Sequence, residues 1–310
     1  MIIGHEKILN FLEKALENKA LSHAYCFVGP DSVGKRTMAC HLASKILNAE
    51  PEKLSTHPDF FHLTREIDEK KGKLKKDLSV AQAKQVRNFL QNRSWFENGT
   101  RITVIDEAEL LNAEAANALL KTIEETNDNS LIFLLTTDDK ALPATVRSRC
   151  QVINFDLVSD DEIISGLKKM DFDGQAAKEA TVLAWGRPGR AVQLLKDPEL
   201  LKEYQSELER WQKLLTQPFY AKLKSTEDLF DDKDKEKDQL KGKEKIKRTV
   251  DVWIMLWREF LLKQVAGNKG QVELPPEKIL EIIDDLRAVQ GYLNRNINPR
   301  LLMEQVLLKF

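Results

Sequence analysis

Short apolar runs alternate with helix-like segments along the first half of the chain. The segments between the runs carry apolar residues at the period of a helix, as in "KRTMACHLASKIL" and "AEAANALLKTIEE". Strands that alternate with helices are typical of parallel βαβ units. We therefore predict an α/β module, with a parallel sheet flanked by helices on both faces. Its predicted strands are "AYCFVG", "DFFHL", "RITVI", "LIFLLTT" and "QVINF".

The pattern changes after about Phe155, where strand-like runs end. The segments "DDEIISGLKKM", "GQAAKEATVLAWG" and "GRAVQLLKD" predict three short helices, and longer helical segments follow from about Glu199. The predicted domains are therefore an α/β domain at 1–156, a three-helix domain at 157–198 and a helical domain at 199–310. Within the last, residues 223–248 are dense in charges of both signs, which predicts an exposed helix or a loose linker.

Composition narrows the class of protein without naming a function. The chain has 310 residues and a net charge of −1, which suits two or three domains and demands neither nucleic acid nor a membrane as partner. Its three cysteines, at positions 26, 40 and 150, are too scattered for a disulfide framework and lack metal-ligand spacing. The first residues predict an amphipathic helix and no stretch approaches a membrane span, so we expect a cytoplasmic protein.

The segment "GPDSVGKRT" has the spacing of a phosphate-binding P-loop, from Gly29 through Gly34 to Lys35. It lies between a predicted strand and a predicted helix, where backbone N–H groups and the helix N-terminus favour a phosphate and the lysine reaches its outer oxygens. Arg36, however, stands where a hydroxyl normally binds magnesium. Thr37 comes one position late, and one position turns a helical side chain by about 100°.

Acidic and polar residues follow two other predicted strands. "VIDEAELL" places Asp106 and Glu107 at the end of a buried strand, where in P-loop enzymes the aspartate organises magnesium and the second acid polarises water. Thr137 follows the next strand, where its side chain can sense a phosphate. Shortly afterwards come Arg147 and Arg149, which either act in trans on a neighbour's nucleotide or form surface ion pairs.

Three segments carry a family resemblance: "HAYCFVGPDSVGKRTMACHLASKIL", "VIDEAELLNAEAANALLKTIEE" and "LPATVRSRCQVINF". They resemble the AAA+ clamp-loader subunits of DNA replication, most closely the delta-prime branch of the bacterial DNA polymerase III clamp loader. "WGRPGRAVQLL" is similar to the start of that family's lid, and "NINPRLLMEQVLL" to its collar helix. The resemblance implies an AAA+ P-loop module at 1–156, an all-α lid at 157–198 and an all-α collar at 199–310.

The family's partners and chemistry follow as expectations. The resemblance implies a five-membered hetero-oligomeric ring with other clamp-loader subunits, which loads a sliding clamp onto primed DNA. Arg149 is then expected to act as an arginine finger in a neighbour's ATP site. The family's cysteine-rich zinc module is missing, and His57 and His62 have no thiolate partners, so no zinc is expected. In motor subunits the lid reads Gly-x-x-Arg, whereas here the arginine position holds Gly189, followed by Arg190.

These departures favour a structural, stator-like subunit without ATP turnover of its own, within a DNA-directed DNA polymerase assembly. Its degenerate P-loop is expected to bind ATP or ADP weakly at most, with magnesium binding weak or lost. The alternative is an active motor subunit of the gamma or tau type, because Lys35, Asp106 and Glu107 are retained. A third reading, an AAA+ protein that remodels polypeptides, lacks a candidate pore-loop aromatic in the sequence.

Overall fold

A computed structural model describes residues 1–68, 73–96, 99–125, 129–172, 174–218, 220–222, 224, 239–265, 274–292 and 299–309. The chain forms two compact units, Met1–Lys196 and Asp197–Phe310. The predicted boundary at 156/157 falls inside the first unit and stays a prediction, as do the other predicted domain limits.

A five-stranded parallel sheet forms the centre of the first unit, in the order β2-β5-β6-β1-β7. The inner strands β5 and β6 are buried along their whole length, which explains their continuous apolar runs. Between β2 and the third helix, two short strands, β3 and β4, pair antiparallel. The strands of the first unit are β1 Ala24–Val28, β2 Phe60–Leu63, β3 Ile67–Asp68, β4 Lys73–Leu74, β5 Arg101–Ile105, β6 Ser130–Thr136 and β7 Gln151–Asn154.

Helices cover both faces of this sheet, which confirms the predicted α/β class. Two apolar clusters, one around Phe27 and Phe133 and the other around Ile105 and Leu134, lie on opposite faces because alternate residues of a strand point in opposite directions. The helices are α1 Glu6–Glu17, α2 Lys35–Leu47, α3 Val80–Gln91, α4 Ala113–Glu125 and α5 Ala144–Arg147, with 3₁₀-helical turns at Pro51–Thr56, Ala108–Leu110 and Asp139–Ala141.

Three short helices complete the first unit, as the hydrophobic pattern predicts: α6 Asp160–Lys168, α7 Gln175–Ala184 and α8 Pro188–Lys196. We call them the lid helices. Ser159 and Glu162 form a capping box that begins α6. The lid helices bury a small apolar cluster that includes Ile163, Leu167 and Ala191, and Ile3 of the N-terminal segment packs into the same cluster.

The described elements of the second unit are all helical, which confirms the predicted all-α class: α9 Pro198–Thr216, α10 Gln239–Val265, α11 Pro276–Tyr292 and α12 Pro299–Leu307. Trp211 and Trp257 meet edge to face, with ring centroids 5.3 Å apart. Much of the charged segment, 225–238, lies outside the described residues, whereas 239–248 begins α10. None of the described helices has the length and apolar character needed to cross a membrane.

Candidate functional site

The carboxyl ends of three adjacent strands bring the predicted phosphate-site residues together. The P-loop follows β1, Thr137 follows β6, and Asp106 and Glu107 follow β5. The Gly29 backbone N–H donates to the Thr136 carbonyl at 3.2 Å, which joins the P-loop directly to the end of β6. Because parallel strands all end at the same edge, the sheet itself assembles this candidate site.

Both P-loop glycines have backbone angles that favour glycine, for different reasons. Gly29 has φ 154°, and a Cβ there would lie 2.2 Å from the Phe155 carbonyl oxygen, so the chain passes too close for any side chain. Gly34 has φ 114° and caps the N-terminus of α2, with open space around the position of a Cβ. The second glycine is therefore required by conformation, and it leaves the N-terminus of α2 open for an anion.

Lys35 is buried and held by the loop itself. Its ammonium donates to the Gly29 carbonyl and, at 2.8 Å, to the Pro30 carbonyl. Burial lowers the pKa of Lys35, although the carboxylates of Asp31 and Glu109 oppose this shift. A bound phosphate must therefore compete with two backbone carbonyls for the lysine.

Arg36 lies in the first turn of α2, near enough to Asp106 for its positive charge to act on that carboxylate. Burial opposes ionisation of Asp106, but three groups outweigh it and hold the pKa of Asp106 below its ordinary value. These are the neighbouring His62, the Glu107 backbone N–H that donates to Oδ1 at 3.2 Å and, as the smallest contribution, the positive charge of Arg36. His62 Nε2 lies 3.8 Å from Asp106 Oδ2, too far for a hydrogen bond, so we attribute its effect to charge attraction. A positive charge near this carboxylate weakens its attraction for a divalent cation.

Glu107 is bound by an arginine that the sequence interpretation missed. Arg65 donates from Nε to Glu107 Oε2 and from Nη2 to Oε1, each at 2.6 Å, which is a bidentate ion pair. Arg65 follows β2, and the pairing of Leu63 with Ile105 brings it beside the end of β5. The carboxylate that would polarise an attacking water is therefore neutralised in this structure.

The lid helices contact the P-loop through Gly189. Its backbone N–H donates to the Ser32 carbonyl at 2.8 Å, and a Cβ on Gly189 would lie only 2.9 Å from that oxygen. On the other side of the loop, His5 Nε2 lies 3.1 Å from the Val33 carbonyl oxygen. Arg190 places its guanidinium over the Trp185 ring, 5.2 Å from the centroid. The position that holds arginine in motor subunits is thus a backbone contact here.

Arg149 lies at the amino ends of the strands, whereas the P-loop lies at their carboxyl ends. It is two residues before the start of β7, and it pairs with Glu124 at 2.6 Å near the end of α4, which leads to the amino end of β6. It also donates to the Thr145 carbonyl at 3.0 Å. The amino and carboxyl ends of β1 are about 16 Å apart, so Arg149 does not reach its own P-loop.

Comparisons with known proteins decide the family. Residues 4–159, half of the chain, match the family described as DNA polymerase III, delta subunit. The chain belongs to this DNA polymerase III family. The predicted relationship to the AAA+ clamp-loader subunits is thereby confirmed.

Individual relatives include several subunits of this polymerase. The chain is 29% identical to the delta' subunit of Pseudomonas aeruginosa, over 56% of each chain. It is 30% identical to the gamma subunit of Buchnera aphidicola, over 63% of this chain and 56% of the relative, and 28% identical to the tau subunit of Bacillus subtilis, over 54% and 31%. The match thus spans about a third to just over half of the length of these relatives. These matches include several subunit types, so a choice among them depends on the residues of the candidate site.

A solved structure supports the fold over nearly the whole chain. A gamma subunit-related protein of DNA polymerase III from Thermotoga maritima is similar with a TM-score of 0.54, at 16% identity, over 97% of both chains. With the parallel sheet and the helical second unit, this likeness confirms the predicted AAA+ fold class.

For this member of the DNA polymerase III family, the structure places most of the predicted site residues together, and their role in binding phosphate stays a prediction. Gly29, Gly34, Lys35, Asp106, Glu107 and Thr137 lie at one sheet edge, and Arg149 lies at the other. Two contacting residues were missed, Arg65 and Glu109, since neither belongs to a phosphate-binding motif. Across the described residues, no three His, Cys, Asp or Glu side chains are grouped closely enough to hold a metal ion.

The lid contact predicts that Gly189→Ala destabilises the first unit. The added methyl would press on the Ser32 carbonyl, and such overpacking costs about 1–3 kcal/mol, partly offset by alanine's better helix propensity. We expect the thermal midpoint of the first unit to fall by roughly 2–4 °C, as measured by calorimetry.

Gly291→Ala is the matched control, because a Cβ at Gly291 in α11 meets no atom within 4 Å. It should leave the midpoint of the second unit unchanged or raise it. If Gly189→Ala unfolds at the wild-type temperature and hydrogen exchange in α8 is unaltered, the lid does not depend on the contact with Ser32.

Proposed function

We propose that this protein is a stator-like, non-hydrolysing subunit of a DNA polymerase III clamp loader. In this proposal it takes one place in a five-membered ring of clamp-loader subunits, which loads a sliding clamp onto primed DNA. Any contact with DNA would be independent of base sequence, made through phosphates. The observation that carries the proposal is Arg36 itself, which stands where a P-loop enzyme has its metal-binding hydroxyl and whose positive charge helps to lower the pKa of Asp106.

The charge at Arg36 argues against turnover in two ways. The residue supplies no hydroxyl to a magnesium ion, and its guanidinium already compensates the carboxylate that would otherwise coordinate one. Lys35 and the N-terminus of α2 remain suited to a phosphate group. We therefore expect weak binding of ATP or ADP that gains little from magnesium.

Arg149 supports a role at a neighbouring subunit's site. Its side chain is 40% exposed and lies at the sheet edge away from its own P-loop. A guanidinium there is available to a nucleotide bound by another chain, where it would stabilise the charge that develops during phosphoryl transfer. The pair with Glu124 is exposed on both sides, so leaving it costs little.

A motor subunit of the gamma or tau type is the second candidate function. It is favoured by the retention of Lys35, Asp106 and Glu107 at one sheet edge. The bidentate pair between Arg65 and Glu107 would have to open before the glutamate could polarise water. Turnover by the isolated protein separates the two candidates.

We expect the isolated protein to release phosphate from ATP no faster than a Lys35→Ala variant does, with both measured at saturating magnesium. We further expect Arg36→Thr to bind ATP about tenfold more tightly with magnesium than without it, since a metal-binding hydroxyl returns and a competing charge leaves. Phosphate release and calorimetric binding titrations measure the two effects.

Arg36→Ala is the control for this substitution, because it removes the charge without adding a hydroxyl. It should bind ATP no more tightly than the wild type, because a positive charge that attracts phosphate is lost, and it should create no comparable dependence on magnesium. Steady hydrolysis by the wild-type protein that disappears in Lys35→Ala would show that Arg36 is tolerated, and the protein would then be a motor subunit.

A further inference from the structure

Glu109 is a third acidic residue at the phosphate site, and sequence motifs give it no role. It lies in the 3₁₀-helical turn that follows β5. Its Oε1 accepts a hydrogen bond from the Thr137 hydroxyl at 2.7 Å, and the Thr137 backbone N–H lies 3.4 Å from the same oxygen. The threonine predicted to sense a phosphate is thus already bound to a carboxylate.

The other oxygen of this carboxylate is buried. Glu109 Oε2 has no hydrogen-bond partner among the described residues. A buried carboxylate oxygen without a donor is unfavourable unless positive charge lies nearby. Lys35, whose ammonium donates to the Gly29 and Pro30 carbonyls, is near enough for the carboxylate of Glu109 to raise its pKa against the effect of burial.

Thr137 and Lys35 are groups that a P-loop protein uses for the terminal phosphate of a nucleotide. Hydrogen bonds through Gly29 link the two segments, because the Lys35 ammonium donates to the Gly29 carbonyl and the Gly29 N–H donates to the carbonyl of Thr136, the residue before Thr137. A carboxylate shares with a phosphate the two properties that these groups recognise, which are negative charge and oxygen acceptors.

We propose that Glu109 is a resident anion in the place of the γ-phosphate of ATP. In that place it binds Thr137 and repels the γ-phosphate, so that the P-loop binds ADP in preference to ATP. This inference rests on the proposed function, in which the P-loop still binds nucleotide without hydrolysing it. It makes Glu109 a specificity residue, and it gives this chain a phosphate site that is filled by its own side chain when no nucleotide is bound.

Glu109→Gln tests the proposal with little change in shape, since the amide oxygen still accepts from Thr137. The affinities of fluorescent ATPγS and ADP analogues are measured by titration with EDTA present, so that magnesium plays no part. We expect ATPγS to bind on the order of tenfold more tightly to Glu109→Gln than to the wild type, because a repelling charge is removed. The affinity for ADP should change by less than about twofold, because ADP has no γ-phosphate to place beside residue 109.

Glu114→Gln is the matched control, because Glu114 is exposed in the first turn of α4. It should leave the ratio of the two affinities unchanged. Adding Thr137→Val to Glu109→Gln should remove most of the gain in ATPγS affinity, which a general effect of net charge would not predict. Thermal midpoints show that each variant is folded.

Two results would overturn the inference. One is an ATPγS-to-ADP affinity ratio that is the same in Glu109→Gln and in the wild type. The other is a folded Glu109→Gln variant that binds neither analogue at millimolar concentration, because Glu109 is then not what excludes the phosphate. Neither result bears on the stator-like function, which fails only if the wild-type protein hydrolyses ATP.

Discussion

Replacing Arg149 with alanine in a reconstituted clamp loader is expected to slow ATP hydrolysis at the neighbouring subunit by about 10³-fold or more. The proposed role makes the guanidinium part of the neighbour's transition-state site, where removal of an arginine finger has this order of effect. The measurement is the rate of phosphate release by the assembled loader, with primed DNA and clamp present.

The same substitution should leave the fold of this subunit intact. Arg149 and Glu124 are 40% and 43% exposed, and exposed ion pairs contribute only about 0–1 kcal/mol to stability. Arg149→Lys is expected to recover little of the rate, because an ammonium lacks the planar fork of a guanidinium. The assembly itself should still form, which size-exclusion chromatography checks.

Arg147→Ala is the matched control for Arg149→Ala. Arg147 lies two residues earlier and is 42% exposed, but it pairs with Asp139 at 3.0 Å. A clamp loader that contains Arg147→Ala should hydrolyse ATP at nearly the wild-type rate. If both variants hydrolyse ATP at the wild-type rate in an intact assembly, Arg149 is a surface ion-pair residue, and the stator proposal loses its link to the neighbouring site.

The sequence predicts the phosphate site well because local rules build it. The spacing from Gly29 to Lys35 specifies a strand, a glycine turn and a helix start, and the buried run before Asp106 specifies a strand that ends in acids. In a parallel sheet these ends must gather at one edge. The grouping of the P-loop, Asp106 and Thr137 thus follows from the common direction of the strands that precede them, without knowledge of side-chain contacts.

Contacts between distant segments could not be predicted in this way. Arg65 and Glu107 are separated by 42 positions, and Glu109 and Thr137 by 28. Each pair depends on the register of neighbouring strands and on side-chain direction, which no motif encodes. The two alternatives for Arg149 likewise remained open, because the position of Glu124 relative to β7 is a tertiary property.

A buried ionic network at the amino end of β2 illustrates the same point and predicts the second large effect. Asp59 is fully buried and accepts hydrogen bonds from Ser94 Oγ at 2.8 Å and from the Trp95 backbone N–H at 3.1 Å. Arg101, also buried, lies 3.5 Å from its carboxylate. We expect Asp59→Ala to lower the free energy of unfolding of the first unit by about 3–5 kcal/mol, because it leaves the guanidinium buried without its anion.

Denaturant titration of the first unit's transition measures this loss, and Asp77→Ala, at an exposed position, is the control. If the cost arises from the stranded guanidinium, Asp59→Ala combined with Arg101→Met should recover much of it, since removing both charges of a buried pair is often nearly neutral. A double variant as unstable as Asp59→Ala would instead assign the cost to lost hydrogen bonds, those of Asp59 with Ser94 and Trp95 and those that Arg101 donates to the Phe89 and Arg93 carbonyls. Because Asp59 also begins the pairing of β2 with β5, through the Ile102 N–H at 2.9 Å, this network fixes the strand register that brings Arg65 to Glu107.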